Sequence, residues 1–312
     1  MDLIFLGTPS FAVPTLEAIV AAGHRVLAVF TQPDRPKGRG GQLSASAIKE
    51  AAQRLGLTVH QPERIRRPEI VEQLRALNSE AMVIVGYGQI IPQSIIDIPR
   101  RGIINVHASL LPKYRGAAPI QWAIANGETR TGVTTMRIDA GLDTGDMLLK
   151  WETDIGAEEN ALELSPRLAR AGADLLVETL KGLAAGSITP QPQDNSEASL
   201  APILKKEDGQ IDWSWPARKI FNRSRGFLPW PGAYSFFRGQ MFHIWKARVS
   251  SEAVSGQPGQ LVPEKKRLFV VCGEGTALEP LEVQIEGRKR MPVESFSIGQ
   301  RLNENEMLGE ES

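Results

Sequence analysis

Short apolar runs alternate with helical patterns along the first 183 residues of this chain, which is 312 residues long. Their length and continuous apolar character are typical of strands buried on both faces of a parallel sheet. Strands separated by helices predict an α/β fold, a Rossmann-like, doubly wound and mostly parallel sheet. Such sheets bind ligands beyond the carboxyl ends of their strands. The runs are Leu3–Leu6, Val26–Phe30, Met82–Val85 and Ile103–Val106.

The pattern changes after residue 183. Most of residues 184–206 is polar or rich in Gly, Ser and Pro without a hydrophobic period, which is typical of a linker. Short β-type runs follow, with one helical stretch at residues 216–225, and they predict a small OB-like β-barrel. We therefore expect a first domain at 1–183, a linker at 184–206 and a second domain at 207–312. The β-type runs are Ala233–Phe237, Met241–Ala247, Leu268–Cys272 and Leu281–Ile285.

Composition restricts the class of protein. Cys272 is the one cysteine of the sequence, which excludes an internal disulfide and a Cys-based zinc site and suits a reducing compartment. The first residues lack the basic region and long apolar run of a signal peptide. No stretch approaches the ~20 apolar residues that cross a bilayer. We expect a cytoplasmic protein without a membrane segment.

The formal net charge is zero, with 36 Lys and Arg against 36 Asp and Glu, which speaks against tight non-specific wrapping of nucleic acid. The two parts of the chain differ, however. Residues 1–200 contain 20 basic and 22 acidic residues, and residues 201–301 contain 16 and 10. The second domain could therefore present a basic surface to a phosphate backbone.

The segment Asn105-Val106-His107 closes the run at Ile103–Val106. Residues two apart on a strand share a face, so the amide and the imidazole are expected to project together at the carboxyl end of the sheet. This is the edge at which ligands bind. A hydrogen-bonded structural pair is the alternative interpretation.

Two loops after predicted strands could hold a ligand. Leu110 and Leu111 precede Pro112 in a loop, where they would line a pocket or plug the space under the next helix. Gly86-Tyr87-Gly88 follows another strand, and its glycines would let a flat ligand approach the backbone. The turn at Gly7–Phe11 has neither G-x-G-x-x-G nor P-loop spacing, so a dinucleotide or ATP site is not supported.

The segment Asp139–Asp146 holds three acids and two glycines in eight residues, which indicates a tight, functional turn. A cation site is one alternative, but the glutamate that an EF-hand loop needs at a later position is missing. A plain hairpin turn would explain the glycines and not the number of acids.

Two motifs together resemble the folate-dependent formyltransferases. They are Asn105-x-His107-x-Ser109-Leu110-Leu111-Pro112 and the later Gly141-Leu142-Asp143-Thr144-Gly145. The resemblance extends from residue 2 to about residue 240, and more loosely to the end, and it is closest to the members whose acceptor is methionyl-tRNA. The further matching segments are Ile4–Ala12, Gln32–Pro36, Lys113–Trp122, Lys205–Trp213 and Pro229–Ala233.

The resemblance implies that a formyl group moves from 10-formyltetrahydrofolate, a co-substrate, to the α-amine of methionyl-initiator tRNA, without a metal. It assigns catalysis to Asn105, His107 and Asp143. Asn105 and a protonated His107 would stabilise the oxyanion, and Asp143 would favour the charged imidazole and help relay the amine proton. We expect a monomer. The implied folate contacts are Ser109, Leu110, Leu111, Pro112, Tyr87, Gly88 and Ile90.

The resemblance also implies tRNA contacts in both domains. The loop at residues 37–46 departs from the family pattern, since it carries less lysine and lacks a Ser-Pro pair. A solvated charged loop is therefore the alternative there. Phe221-Asn222 also stands where the family often has His-Asn. The implied contacts are Arg35, Lys37, Arg39, Lys205, Lys206, Arg223 and Arg225.

Two rival functions stay open. A formyltransferase acting on a nucleotide sugar or on glycinamide ribonucleotide would use the same three residues, although a glycinamide enzyme would end near residue 200. A non-catalytic RNA-binding protein on a Rossmann-like scaffold belongs to another class. The intact trio of Asn105, His107 and Asp143 argues against it, because a binder has no use for that constellation.

Overall fold

The computed structural model describes residues 1–37, 42–303 and 306–309, without the side chains of Lys37 and Gln42. It divides into two compact units. The first comprises Met1–Pro119, Arg130–Asp154 and Ser165–Pro202, and the second comprises Ile120–Thr129, Ile155–Leu164 and the chain from Ile203 onward. None of the helices in the described ranges has both the length and the apolar character that a bilayer crossing requires.

The elements that begin before Pro202 alternate much as the sequence predicts. The strands are β1 (Asp2–Gly7), β2 (Arg25–Phe30), β3 (Arg35–Lys37), β4 (Gln42–Ser44), β5 (Val59–His60), β6 (Ala81–Val85), β7 (Ile103–His107), β8 (Arg130–Arg137) and β9 (Met147–Asp154). The helices are α1 (Val13–Ala21), α2 (Ala47–Arg54), α3 (Pro68–Ala76), α4 (Gln93–Ile96), α5 (Pro119–Ala125) and α6 (Ala161–Ala185).

The main sheet of the first unit has the strand order β5-β2-β1-β6-β7-β8-β9. The first five strands in this order, β5, β2, β1, β6 and β7, are parallel to one another. Strand β8 is antiparallel to β7, and β9 is antiparallel to β8. The chain moves outward from β1 to β2 and β5, then returns to β6 on the other side of β1. This reversal between β1 and β6 is where open α/β sheets bind ligands. The predicted α/β fold with a mostly parallel sheet is confirmed.

The central strands form the core of this unit. Every residue of β6 and β7 is buried, and so are Leu3–Leu6 of β1, as continuous apolar runs predict. Two polar residues, Asn105 and His107, are nevertheless buried in β7. Buried polar groups need hydrogen-bond partners, so this strand is where a site is expected.

Residues 184–202, expected to begin a linker, pack with the first unit. Gln191 and Met147 exchange two backbone hydrogen bonds of 2.8 Å. The backbone N–H of Arg115 donates to the Ser199 carbonyl at 2.8 Å, and that of Ala201 donates to the Arg115 carbonyl at 2.7 Å. Backbone pairing needs no apolar pattern, so the composition of this segment did not reveal it. We call residues 191–201 the strap.

The second unit is built on an antiparallel sheet with the order β12-β13-β14-β11-β10-β16. The backbone N–H of Leu308 donates to the Gly259 carbonyl and that of Leu261 to the Glu306 carbonyl, both at 2.8 Å. The chain beside the last strand therefore bonds to the chain beside the first, and the sheet curls into a half-barrel, which is consistent with the expected OB-like domain. The elements are α7 (Ala217–Gly226), β10 (Ala233–Phe237), β11 (Gln240–Val249), β12 (Leu261–Glu264), β13 (Arg267–Val271), β14 (Ala277–Ile285), β15 (Met291–Pro292), α8 (Val293–Gln300) and β16 (Leu308–Gly309).

Cys272 lies in the core of the second unit and is 2% exposed. Burial raises the pKa of its thiol to about 12. Because the thiolate is the reactive species, we expect the native protein to resist a thiol reagent such as DTNB at about pH 8. One thiol should react promptly once the protein is denatured. Stoichiometric labelling of the native protein within minutes would contradict the burial.

The carboxylate of Glu279 is 3% exposed and accepts hydrogen bonds of 2.8–3.0 Å from Arg267 and Arg248. These bonds lower the pKa of Glu279 to about 2, against the opposing effect of burial. The unfolded-state pKa is about 4.3, so this stabilisation is present above about pH 4.3 and is lost as the pH falls toward 2. We expect Glu279→Gln to lower the free energy of unfolding near neutral pH by about 1–2 kcal/mol.

Denaturant unfolding at several pH values checks this expectation. The difference between wild type and Glu279→Gln should shrink as the pH falls through the acid range. Glu252→Gln is the matched control, because the Glu252 side chain is 48% exposed and contacts Arg267 alone of these two arginines. Equal losses in the two variants would contradict a special contribution from the buried carboxylate.

Candidate active site

Three polar side chains converge at the carboxyl end of β7. Asn105 and His107 are 9% and 5% exposed. Asp143, from the loop between β8 and β9, faces both of them. Its Oδ1 accepts a hydrogen bond of 3.2 Å from Asn105 Nδ2, and its Oδ2 lies 3.6 Å from His107 Nδ1. The structure thus brings together the three residues that the sequence resemblance singles out.

The surroundings of His107 define where its protons belong. Its Nε2 lies 2.9 Å from the carbonyl oxygen of Tyr114. A carbonyl can only accept, so Nε2 carries a proton. The Nδ1–Oδ2 distance of 3.6 Å to Asp143 is longer than a direct hydrogen bond. Both ring nitrogens therefore face acceptors, the Tyr114 carbonyl at Nε2 and the Asp143 carboxylate at Nδ1.

The loop that carries Asp143 is held in an unusual conformation. Asp143 has φ +51°, in the left-handed region that costs energy for a residue with a side chain. The Asp139 carboxylate stabilises the turn by accepting from the Gly141 N–H at 3.0 Å and the Thr144 hydroxyl at 2.8 Å. A Cβ on Gly141 would lie 1.9 Å from that hydroxyl oxygen. The acids and glycines of this segment therefore build a tight turn.

The carboxylate of Asp143 is fixed from a second direction. Its Oδ2 accepts a hydrogen bond of 2.9 Å from the backbone N–H of Gly116. Gly116 itself has φ +119°, and a Cβ there would lie 2.7 Å from the Ala201 carbonyl oxygen. A side chain at residue 116 would therefore displace the donor. Across the ranges that the structure describes, no group of three His, Cys, Asp or Glu side chains is arranged to hold a metal ion.

The loop at Ser109–Pro112 was predicted to contact folate, and most of it is buried. Leu111 is 0% exposed, which matches the plug alternative, whereas Leu110 is half-buried. The Thr134 hydroxyl donates to the Ser109 carbonyl at 2.7 Å and accepts from the Leu111 N–H at 3.2 Å. Sequence reasoning missed Thr134, because its role depends on its pairing opposite His107 in the β7–β8 register.

The predicted folate contacts after β6 separate into two kinds. The side chain of Tyr87 is 1% exposed, and burial raises the pKa of its hydroxyl. Its carbonyl accepts from the Thr8 hydroxyl at 3.0 Å and Gln32 Nε2 at 3.1 Å, so both lone pairs are used. Gly88 is exposed and Ile90 is 90% exposed. Tyr87 therefore shapes the loop, and Gly88 and Ile90 are open to a ligand.

The predicted tRNA contacts of the first unit are only partly visible. Arg35 is exposed on β3, which pairs with β4 in an antiparallel register. Arg39 and the side chain of Lys37 lie outside the described residues.

The predicted tRNA contacts of the second unit differ in exposure. Lys205 and Lys206 are exposed. Arg225 is 8% exposed, and its guanidinium donates to Asn222 Oδ1 at 3.0–3.1 Å and to the Glu159 carbonyl at 2.7 Å. These bonds use the guanidinium N–H groups with which an arginine would bind a phosphate, so the placement of Arg225 does not favour a phosphate contact.

Arg223 takes an intermediate position. It is half-buried, and its Nη2 donates to the Asp208 carbonyl at 2.8 Å. Burial lowers the pKa of its guanidinium. Its guanidinium carbon lies 4.8–5.6 Å from the centroids of the aromatic rings of Trp122, Trp215 and Phe227. This stacking holds the side chain in place and leaves it only partly accessible.

The strap adds residues that sequence reasoning missed. The Ser199 hydroxyl accepts from the Tyr114 N–H at 2.9 Å, which supports the residue whose carbonyl binds His107. Gln193 contacts the loop of Asp143 and the side chain of Arg115. The polar composition of the strap did not indicate the contacts of Ser199 and Gln193, because their partners lie more than 45 positions away in the chain.

Comparison with known proteins adds an independent finding. The family described as Formyl transferase matches residues 1–180, and Formyl transferase, C-terminal domain, matches residues 203–301. The methionyl-tRNA formyltransferase of Solibacter usitatus (strain Ellin6076) is 67% identical over 310 residues, and that of Koribacter versatilis (strain Ellin345) is 58% identical over 310 residues. Each alignment covers 99% of both chains.

Among solved structures, the chain is similar to the N-formyltransferase from Helicobacter canadensis in complex with folinic acid and dTDP-3-aminofucose. The TM-score is 0.66 at 18% identity, and the match covers 89% of this chain and 98% of that one. At this level of identity the similarity concerns the fold alone.

Proposed function

The chain belongs to the methionyl-tRNA formyltransferases, within the formyltransferase family, and we propose that it moves a formyl group from 10-formyltetrahydrofolate to the amino group of methionyl-initiator tRNA. The bond from the formyl carbon to N10 of the folate breaks as the new C–N bond forms, and the products are tetrahydrofolate, protonated at N10, and N-formylmethionyl-tRNA, used for translation initiation. The observation that carries the proposal is the convergence of Asn105, His107 and Asp143 at the ligand-binding edge of a formyltransferase fold.

The oxyanion is assigned to Asn105 and His107. The folate co-substrate supplies an activated formyl carbonyl, whose oxygen becomes negative when an amine attacks its carbon. Asn105 Nδ2 uses one hydrogen on Asp143 and has a second one to donate. A proton on His107 Nδ1 provides the other donor. A preorganised donor of this kind contributes about 2.7–4 kcal/mol to the transition state.

The amine proton is assigned to the pair formed by Asp143 and His107. Asp143 already accepts hydrogen bonds from Gly116 and Asn105, which hold its carboxylate in place. Each carboxylate oxygen keeps a further lone pair for a proton. The 3.6 Å between Asp143 Oδ2 and His107 Nδ1 is longer than a direct hydrogen bond, so transfer within the pair requires a closer approach in the reactive complex, where catalytic hydrogen bonds commonly tighten.

The folate side of the site is assigned to the loops after β6 and β7. Gly88 and Ile90 are exposed and are proposed to contact the co-substrate directly. Leu110, half-buried, is proposed to line the same cleft. The buried members of the predicted set shape these loops from beneath; they are Tyr87, Ser109, Leu111 and Pro112.

The tRNA is assigned to exposed basic residues. Arg35, with Lys37 and Arg39 from the sequence, is proposed to reach the acceptor end, and Lys205 and Lys206 are proposed to contact the backbone. Binding through few phosphates should be moderate and should weaken with salt. We further propose that the enzyme acts as a monomer, since one chain supplies the whole trio, and in the cytoplasm, where translation takes place.

The deciding experiment offers the purified protein three acceptors with 10-formyltetrahydrofolate. These are charged initiator tRNA, a nucleotide amino sugar and glycinamide ribonucleotide. We expect N-formylmethionine from the tRNA at a kcat/KM far above that of either small acceptor. Faster formylation of a small acceptor would identify the rival enzyme class, and RNA binding without turnover would indicate a non-catalytic protein. A His107→Ala preparation controls for formyltransferase carried over from the expression host.

A further inference from the structure

We propose that Gln193 is a positioning residue for catalysis, which holds the loop of Asp143 in its reactive conformation. The inference rests on the catalytic role of Asp143 in the proposed function. The hydrogen bonds of Gln193 go to Arg115 and to the backbone of the loop that carries Asp143, so it acts on Asp143 through that backbone. It belongs to the strap, so this segment of the first unit takes part in building the site.

Both ends of the Gln193 side-chain amide make two hydrogen bonds. Its Nε2 donates to the carbonyl oxygens of Asp143 and Gly145, both at 2.8 Å. Its Oε1 accepts from Arg115 Nε at 3.0 Å and Nη2 at 2.8 Å. The Gln193 amide therefore links the carbonyls of Asp143 and Gly145 to the guanidinium of Arg115.

The orientation of this amide is fixed by chemistry. A guanidinium has donors only, so the atom of Gln193 that faces Arg115 must be the oxygen. The NH₂ group must then face the two loop carbonyls, which only accept. Arg115 is itself 7% exposed and also donates to Asn195 Oδ1 at 2.9 Å, so its guanidinium is bound to a second residue of the strap.

The loop needs such a restraint because Asp143 occupies the left-handed region, with φ +51°. A strained residue persists only where its surroundings hold it. Gln193 binds the carbonyl of Asp143 and that of Gly145, so it fixes the backbone that directly follows the strained torsion. If this restraint is lost, the carboxylate moves relative to Gly116 N–H and Asn105 Nδ2, which now hold it at 2.9 and 3.2 Å.

The variant Gln193→Glu isolates the donor function. One of its oxygens can still accept from Arg115, but the other faces the carbonyls of Asp143 and Gly145 and cannot donate to them. We expect kcat to fall by about 10- to 100-fold, since small misplacements of a catalytic group cost rates of this order. The KM values for tRNA and folate should change by less than about threefold, because the loss concerns the chemical step.

Gln191→Glu is the matched control. It introduces the same charge two residues earlier in the strap, at an exposed side chain, and should keep wild-type kcat. Gln193→Met is a second test variant, which removes the donor without adding a charge. It carries the test if Gln193→Glu does not fold. Wild-type kcat in the folded Gln193 variants would overturn the inference.

A double-mutant cycle with Asp143→Asn separates positioning from a general structural effect. If Gln193 acts through Asp143, then Gln193→Glu should lower the residual kcat by less than about twofold in the Asp143→Asn background. A full, additive loss in that background would overturn the positioning role. Wild-type turnover of Asp143→Asn alone would instead refute the catalytic assignment on which the inference rests, and the two failures are therefore distinguishable.

Discussion

Replacement of His107 by alanine is expected to lower kcat by about 10²- to 10⁴-fold while the protein stays folded. The substitution removes an oxyanion donor and the partner that faces the Asp143 carboxylate at 3.6 Å. It also leaves the Tyr114 carbonyl without the ring nitrogen that now lies 2.9 Å away, which costs about 1–3 kcal/mol of stability. Single-turnover formylation of methionyl-tRNA, alongside thermal unfolding, measures both effects.

His24→Ala is the control for this prediction. His24 directly precedes β2 and so lies at the amino end of the parallel strands, at the opposite edge of the sheet from the site. Its kcat should match the wild-type value. A His107→Ala enzyme with near wild-type turnover would remove the imidazole from the mechanism.

Asp143→Asn is expected to lower kcat by about 10²- to 10³-fold, although the side chain keeps its size. The carboxylate accepts from Asn105 Nδ2 on one oxygen and from Gly116 N–H on the other. An asparagine places an NH₂ group against one of these donors in either orientation, so one hydrogen bond is lost. The negative charge beside His107 is lost as well.

Asp146→Asn tests whether the effect is specific to residue 143. Asp146 lies in the same acidic segment, and its backbone carbonyl, which the substitution leaves intact, accepts from the Arg137 N–H at 2.9 Å. We expect its kcat to stay within about twofold of the wild-type value. Equal losses at residues 143 and 146 would indicate a general effect of loop charge and would contradict the assignment of Asp143 as the catalytic acid–base partner.

Local features of the site were open to prediction. The alternation of apolar runs indicated the sheet, and the i, i+2 spacing of Asn105 and His107 on β7 indicated that they share a face. Both patterns arise within a few residues of chain. The involvement of Asp143 came from the resemblance to a family, since no local pattern connects it with a strand that ends 36 residues earlier.

Burial was harder to predict. Arg225 was expected to contact tRNA, and it lies buried with its donors on acceptors of the second unit. Leu111 was open to two interpretations, and the structure places it at 0% exposure. The partners of a charged residue cannot be predicted from its position in the sequence, because they come from other elements of the fold. Exposure is decided when the elements pack.

The sequence by itself determined the fold class, the order of the strands along the chain and the positions of two catalytic candidates on one strand, because these follow from periodicity over short distances. Only the tertiary structure decided that Asn105 meets Asp143 across 38 positions and that Gln193 reaches the same loop across 50. These contacts depend on the register of β7 with β8 and on backbone pairing of the strap. Backbone hydrogen bonds are nearly independent of side-chain identity, so neither the register of β7 with β8 nor the pairing of the strap could be predicted from a sequence pattern.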